Sequence, residues 1–294
     1  MPDEPSMIQG TASVIPVAGI LGRRSRYAAS SEGPTMEIRP DLTILLATLN
    51  ERSALPGLMQ GIKALNLQRV ELVFVDDGST DGTREFLTDL AKEDPSVRVI
   101  FHEGRRTLSV AHNEGLEAAK GEVVLVMDSD LQHPIEAIPR ILERLGSEAD
   151  LVVASRYTPG GSPGRRPALR AVTSRVAELT AKLLLPEARR VRDPLSGFFA
   201  FRRNAFPTTF NLIRGYKLLL LLLAMSRPGR VVEVPYDFRL RVNGSSKIFR
   251  GVKFVPTFLS EVLVARRLSS SYRLGLESRI GRTAVSTIDN RDQP

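Results

Sequence analysis

Short, nearly all-apolar runs alternate with stretches of helical periodicity from residue 42 to residue 156, and no other feature narrows the possible folds as far. The apolar runs are LTILLAT (42–48), VELVFVDD (70–77), VRVIFH (97–102), EVVLVMD (122–128) and DLVVASR (150–156). Between the first two, SALPGLMQGIKAL (53–65) repeats Leu55, Leu58, Met59, Ile62 and Leu65 at helical spacing. Helices are also predicted for DGTREFLTDLAKED (81–94), LSVAHNEGLEAAK (108–120) and IEAIPRILERL (135–145). Apolar strands that alternate with helices predict an α/β fold with a mostly parallel sheet flanked by helices. In such sheets ligands bind beyond the carboxyl ends of the strands. Neither G-x-G-x-x-G nor G-x-x-x-x-G-K-[ST] occurs in this region, so neither a dinucleotide fingerprint nor a P-loop is supported.

Carboxylates stand at those strand ends. In VMDSDLQHP (126–134), Asp128 and Asp130 lie two apart in an extended segment, so their side chains can point the same way. Like charges that close repel unless a cation sits between them or one keeps its proton. With Gln132 they form an oxygen-rich set that suits Mg²⁺ or Mn²⁺, ions that are typically shared with substrate phosphates. D-x-D alone also fits a helix entry, with Asp130 as the cap before Pro134. VDDGSTDGT (75–83) brings Asp76 and Asp77 to a second strand end, where paired acids can hold the donors of a base and the hydroxyls of a ribose. Asp81 in the same stretch reads as a turn and helix cap. ATLNER (47–52) exposes Asn50 and Glu51 at a third end. Turn chemistry alone does not account for three such ends together.

The absence of cysteine excludes disulfide scaffolds, thiolate metal sites and cysteine nucleophiles. With only His102, His112 and His133, a histidine-rich metal site is not expected. The net charge of +8 is unevenly spread: residues 36–155 hold 12 basic against 21 acidic side chains, residues 156–282 hold 25 against 7. An acidic, metal-binding half followed by a half that faces anions is the expectation. Nucleic acid is not the expected anion, because the acidic strand ends would repel it. The longest apolar run, LLLLLLAM (218–225), is far short of the ~20 residues a membrane span needs. No signal peptide is evident, so a cytoplasmic protein, soluble or peripheral on a membrane, is expected.

Past residue 156 the rhythm changes. TPGGSPGRRP (158–167) reads as a loop, and a helix should follow at about 168–185. VRDPLSGFFAFRRNAF mixes turn residues with aromatics, RVVEVPYDF (230–238) reads as a strand and RVNGSSK (241–247) as a loop. VKFVPTFLSEVLVARRL (252–268) aligns Val255, Phe258, Leu259, Val262 and Leu263 on one helical stripe with basic ends, the pattern of a helix lying on an anionic membrane or, alternatively, of one packed on the catalytic core.

Across residues 42–250, NER, LPGLMQGI, VELVFVDDGSTDGT, AAKGEVVLVMDSDLQHP, VASRYTPGG, DPLSGFFAFRR and VPYDFRLRVNGSSK follow in an order that resembles the family 2 glycosyltransferases of GT-A fold. The resemblance is greatest to the polyprenol-phosphate (dolichol-phosphate) mannosyltransferases. Together with the residue patterns, this gives an expected flexible tail over 1–36, a catalytic domain over 37–250, and an amphipathic helix with a C-terminal tail over 251–294. The resemblance implies a nucleotide-sugar site at Ala47, Leu49, Glu51, Val75 and Asp77, and a metal–diphosphate site at Asp128, Ser129, Asp130 and Gln132. Arg156, Arg170 and Ser174 would handle the acceptor phosphate and the transferred sugar, and Arg241 and Lys247 the donor phosphates. The implied reaction is transfer of mannose from GDP-mannose, with inversion, to a membrane polyprenyl phosphate, aided by Mg²⁺ or Mn²⁺. Two departures stand out. The family usually reads P-T-Y-N-E where this chain has Ala47-Thr48-Leu49-Asn50-Glu51, so the aromatic that would flank the base is missing. UDP-glucose is therefore the second donor to consider, and a soluble glycan a third, weaker acceptor reading. The family also usually reads K-I-L-L-E where this chain has Lys217 followed by four leucines, so Leu221 replaces a carboxylate.

Overall fold

The computed structural model describes residues 40–206 apart from 105, 148 and 166, residues 217–241 apart from 228, and residues 254–273. The expected tails and Lys247 lie outside the described residues. Seven strands, β1 (Leu42–Thr48), β2 (Val70–Asp76), β3 (Val97–Phe101), β4 (Val123–Asp128), β5 (Leu151–Ser155), β6 (Phe199–Arg202) and β7 (Val231–Pro235), form one sheet in the order β3-β2-β1-β4-β6-β5-β7. The helices are α1 (Leu55–Ala64), α2 (Thr83–Glu93), α3 (Leu108–Ala118), α4 (Ile138–Ser147), α5 (Ala168–Leu184), α6 (Leu218–Met225) and α7 (Phe254–Arg273).

Strand β1 runs parallel to β2 on one side and β4 on the other. The register sets Thr48 beside Asp76 and Ala47 beside Asp128. The three acid-bearing ends therefore finish on one edge of the sheet, as their sequences require if apolar residues fill both faces. On β1 the period of two is plain: Leu42, Ile44 and Leu46 pack with α1, α2 and α4, while Leu45 packs on the opposite side with α3, α6 and α7.

Strand β6 is the one strand that the sequence reading does not predict. It lies antiparallel between β4 and β5, with Phe199 opposite Val126 and Val153. Four residues are too few to declare a period, and the strand exists because two flanking strands leave a gap of ladder width. The all-leucine run forms α6, buried at every position. A helix apolar on all sides belongs in the core, and α7 covers it.

That cover corrects the expected membrane stripe on α7. Phe258 and Val262, with Ala265, face the core cluster that contains α6. Only Leu259 and Leu263 among the described stripe residues point outward, at 36% and 48% exposure. The larger exposed apolar face is on α5: Val172, Val176, Leu179 and Leu183 recur at helical spacing and are 57–71% exposed.

Candidate active site

The turns after β1 and β2 are tied to each other. Asn50 donates its backbone N–H to Ser79 Oγ (2.8 Å) and accepts from the Thr80 N–H (2.7 Å). The Glu51 and Arg52 amides donate to Thr83 Oγ1 (3.0 Å) and Asp81 Oδ2 (3.1 Å). Asp81 also accepts from the Thr83 amide, the turn role expected of it. Asp76 is wholly buried and accepts from Ser79, so it builds the turn and is not open to a ligand. Asp77 is the half-buried acid that faces the cleft. Its Oδ1 accepts the Arg106 amide (2.7 Å) and meets His102 Nδ1 at 3.2 Å. His102 Nε2 lies 2.6 Å from Glu114, so two carboxylates hold one buried imidazole and that imidazole orients Asp77. Ala47 and Leu49 are partly buried on either side of Thr48, whose carbonyl accepts the Asp77 amide (2.9 Å), and Val75 is buried in register with Ala47.

Asp128 and Asp130 meet the next strand end. Asp130 accepts the Gln132 amide at 3.0 Å and the Arg241 guanidinium at 2.6 Å. Arg241 also reaches Glu51 at 3.2 Å, so one arginine bridges the first and third acid-bearing ends. Burial raises the Asp130 pKa, and the neighbouring Asp128 charge raises it further against the pull of Arg241. Burial likewise raises Asp128, with Lys217, Arg241 and Arg156 pulling back. Ser129 donates its hydroxyl to the Ala47 carbonyl (3.2 Å). Leu131 takes φ +62°, a left-handed conformation that side chains rarely adopt and that turns the chain between Asp130 and Gln132. Gln132 Nε2 donates to the Arg239 carbonyl (3.1 Å). His133 is buried, stacks on Phe198 at 5.0 Å, and accepts the Asp128 amide on Nδ1. Burial pushes it down to about 4, so it is neutral.

The acid pair fits a hard divalent cation. Its donors are oxygens, the Asp128 carboxyl is 41% exposed, and a Cβ at Gly197 would sit 3.5 Å from Asp128 Oδ2. The glycine therefore leaves that side of the carboxylate open. Among the described residues no cluster of three His, Asp or Glu side chains forms a closed metal cage, which suits an ion shared with a phosphate ligand.

Across the cleft, Arg156 presents its guanidinium fork to Asp193: Nε and Nη2 each donate at 2.7 Å, and the Arg156 amide donates at 3.1 Å. Burial opposes this charge, but Asp193 outweighs it and holds the arginine above its ordinary pKa. Ser174 is half-buried on α5. Arg170 is in the first turn of that helix, and its side chain lies outside the described residues.

The sequence pattern of glycosyl transferase family 2 matches residues 43–210, which hold the acid-bearing ends, Arg156 and Asp193. The chain belongs to glycosyl transferase family 2. Its relatives in this family include a dolichol-phosphate mannosyltransferase of Saccharomyces cerevisiae, 37% identical over 68% of this chain and 76% of the yeast protein. A polyprenol monophosphomannose synthase of Mycolicibacterium smegmatis is 34% identical over 76% of this chain and 87% of its own. A dolichol-phosphate mannosyltransferase of Pyrococcus furiosus is 37% identical over 70% of this chain, which spans 59% of that longer protein. The fold is similar to that of Mycobacterium tuberculosis glucosyl-3-phosphoglycerate synthase, solved with Mn²⁺, UDP-glucose and phosphoglyceric acid (TM-score 0.56, 22% identity, 79% of this chain and 80% of that one). The GT-A architecture expected of the family 2 chain is thus present.

Within this family 2 site the sequence alone does not single out Asp193, His102, Glu114 or Lys217. Asp193 carried a signal, the D-P-x-S-G-F-F motif, but its partner Arg156 is 37 residues away. His102 and Glu114 carried none, because their pairing depends on how α3 lies against β3.

Proposed function

We propose that this family 2 glycosyltransferase moves mannose from GDP-mannose to a membrane polyprenyl phosphate, inverting the anomeric centre, on the cytoplasmic face of a membrane. The observation that carries this reading is the strand register that gathers Glu51, Asp77, Asp128 and Asp130 on one edge, where the charges of Arg156 and Arg241 act on Asp128. The names of the yeast, archaeal and mycobacterial relatives support the same substrate class.

Asp128, Asp130 and Gln132 would hold Mg²⁺ or Mn²⁺, which supplies charge neutralisation for the departing diphosphate. Asp77, fixed by His102, would accept donors of the base or ribose, and Leu49 would cover one base face. Arg241 and Lys247 would serve the donor phosphates, Arg241 passing to them from Asp130 and Glu51 once a cation takes its place. The acceptor phosphate is already anionic, so its oxygen attacks the anomeric carbon without a general base, and the bond from that carbon to the diphosphate oxygen breaks. The role left to Arg156, Arg170 and Ser174 is to orient that phosphate. Arg156 would do so as part of its pair with Asp193, a single preorganised group.

The exposed apolar face of α5, with Leu259 and Leu263 of α7, supports a peripheral membrane position. Among the described residues no helix is long and apolar enough to cross a membrane. Leu49 keeps UDP-glucose as the second donor, because an aliphatic contact does not select a purine as a stacked aromatic would. Assay of radiolabelled sugar transfer into an extractable prenyl phosphate, with GDP and UDP as competitors, tests both. GDP should inhibit far better than UDP. The reverse order overturns the mannose donor, and absence of label in the lipid phase overturns the acceptor.

A further inference from the structure

Glu261 is a buried carboxylate that the transfer reaction above leaves unused. It lies on the inner side of α7, 8% exposed, beside the core residue Val262. Its Oε2 is buried with no hydrogen-bond partner among the described residues. The Lys217 ammonium and backbone both act on this carboxyl, against the rise that burial gives it. Burial pushes Glu261 up to about 7.

Lys217 connects it to the site. The residue stands at the start of α6, and its Nζ donates to the Leu195 carbonyl at 2.9 Å. Leu195 lies in the turn 193–197. The first residue of that turn, Asp193, grips the Arg156 fork; the last, Gly197, lies against Asp128 and His133. The charges of Arg156, Asp128, Asp193 and Glu261 all act on Lys217. A single line of contacts therefore runs from α7 to both the acid pair and the basic side of the cleft.

Leu221 follows Lys217, the residue that precedes α6, by four positions and is buried in the core shared with α7. We propose that Glu261, reaching in from α7, supplies the carboxylate that Leu221 does not, and is a positioning residue that fixes Lys217 and, through it, the Asp193–Gly197 turn. This rests on the transfer reaction proposed above only for its consequence in catalysis. Glu261 lies beyond the matched residues 43–210.

The test uses the full chain as wild type, Glu261→Gln, Glu261→Leu, and Glu261→Leu combined with Leu221→Glu. Two readouts are taken: amide hydrogen exchange in the 193–199 segment without substrate, and steady-state transfer to a prenyl phosphate. In Glu261→Leu, exchange in 193–199 should quicken at least tenfold while β1 to β3 stay protected, and kcat/KM for the acceptor should fall at least tenfold. The affinity for metal-free GDP should stay within twofold. Adding Leu221→Glu should restore at least threefold of the lost kcat/KM, and Glu261→Gln should fall between wild type and Glu261→Leu. Unchanged exchange in 193–199 overturns the inference, and so does loss of protection across the whole sheet. A wild type inactive on every prenyl phosphate, with exchange responding as expected, overturns the proposed acceptor and leaves the positioning role standing.

Discussion

At the scale of single residues, Asp130 is 3% exposed in its side chain and is kept beside a second carboxylate, with Arg241 as its counter-charge. Burying one acid against a second, half-exposed one is unfavourable unless a cation joins them. Asp130→Ala should therefore abolish Mn²⁺ binding measured by calorimetry and lower transfer by about 100-fold or more. Asp128→Ala and Gln132→Ala should impair both, and excess chelator should silence the wild type until Mg²⁺ or Mn²⁺ is returned. Full activity in chelator would remove the metal from the mechanism. His112 makes a different prediction. It is buried, its Nδ1 has no partner among the described residues, and burial lowers its pKa to about 4. Between pH 6.5 and 4 the unfolded chain binds this proton and the folded chain does not, so stability falls as pH falls through that window, by roughly 3 kcal/mol in full. Glu261, raised to about 7, acts oppositely: its folded form holds a proton that the unfolded form has lost between pH 4.5 and 7, so its contribution declines as pH rises. Comparing wild type with His112→Leu cancels the Glu261 part. In urea unfolding at pH 7.5 and pH 4.5, the wild type should lose more stability than the variant.

At the scale of elements, α6 and β6 decide how the second half of the chain joins the first. Helix α6 packs leucine on every side, between the sheet and α7. Leu222 is fully buried there, and Leu222→Ala should destabilise the protein by about 2–5 kcal/mol through lost contacts and an incompletely filled cavity. A denaturant midpoint shifted by much less would mean that α7 repacks freely over α6. Strand β6 delivers the turn 193–197 to the mouth of the cleft because it runs against its neighbours. A parallel strand in the same slot would carry Asp193 and Gly197 to the opposite edge of the sheet, away from Arg156 and Asp128.

At the scale of the whole molecule, the acidic first half and basic second half meet in one cleft, which suits a reaction between a metal-bound diphosphate and an anionic acceptor. The apolar face beside it lies on α5, not on the stripe of α7 that periodicity favours. Flotation with anionic vesicles should separate the two. Val176→Asp combined with Leu183→Asp should lower vesicle binding severalfold while the melting temperature hardly moves, because both side chains are exposed. Phe258→Asp should instead unfold the protein, since it places an unpaired charge in the core. Equal flotation by wild type and the α5 variant would remove this face from membrane binding.

The nearly all-apolar runs and helical patterns of residues 42–156, and the acids at the strand ends, were legible in the sequence because each arises from neighbours along the chain. They determined the parallel core of the sheet and the edge where a ligand is expected. Asp76 and Asp77 look alike in sequence, and only packing separates them: one is spent on Ser79, the other is left to His102 and the cleft. The Arg156–Asp193 pair, the antiparallel β6, the inward side of α7 and the approach of Glu261 to Lys217 were likewise decided by tertiary structure. Each joins residues far apart in the chain, and local periodicity carries no record of which distant surface an element will meet.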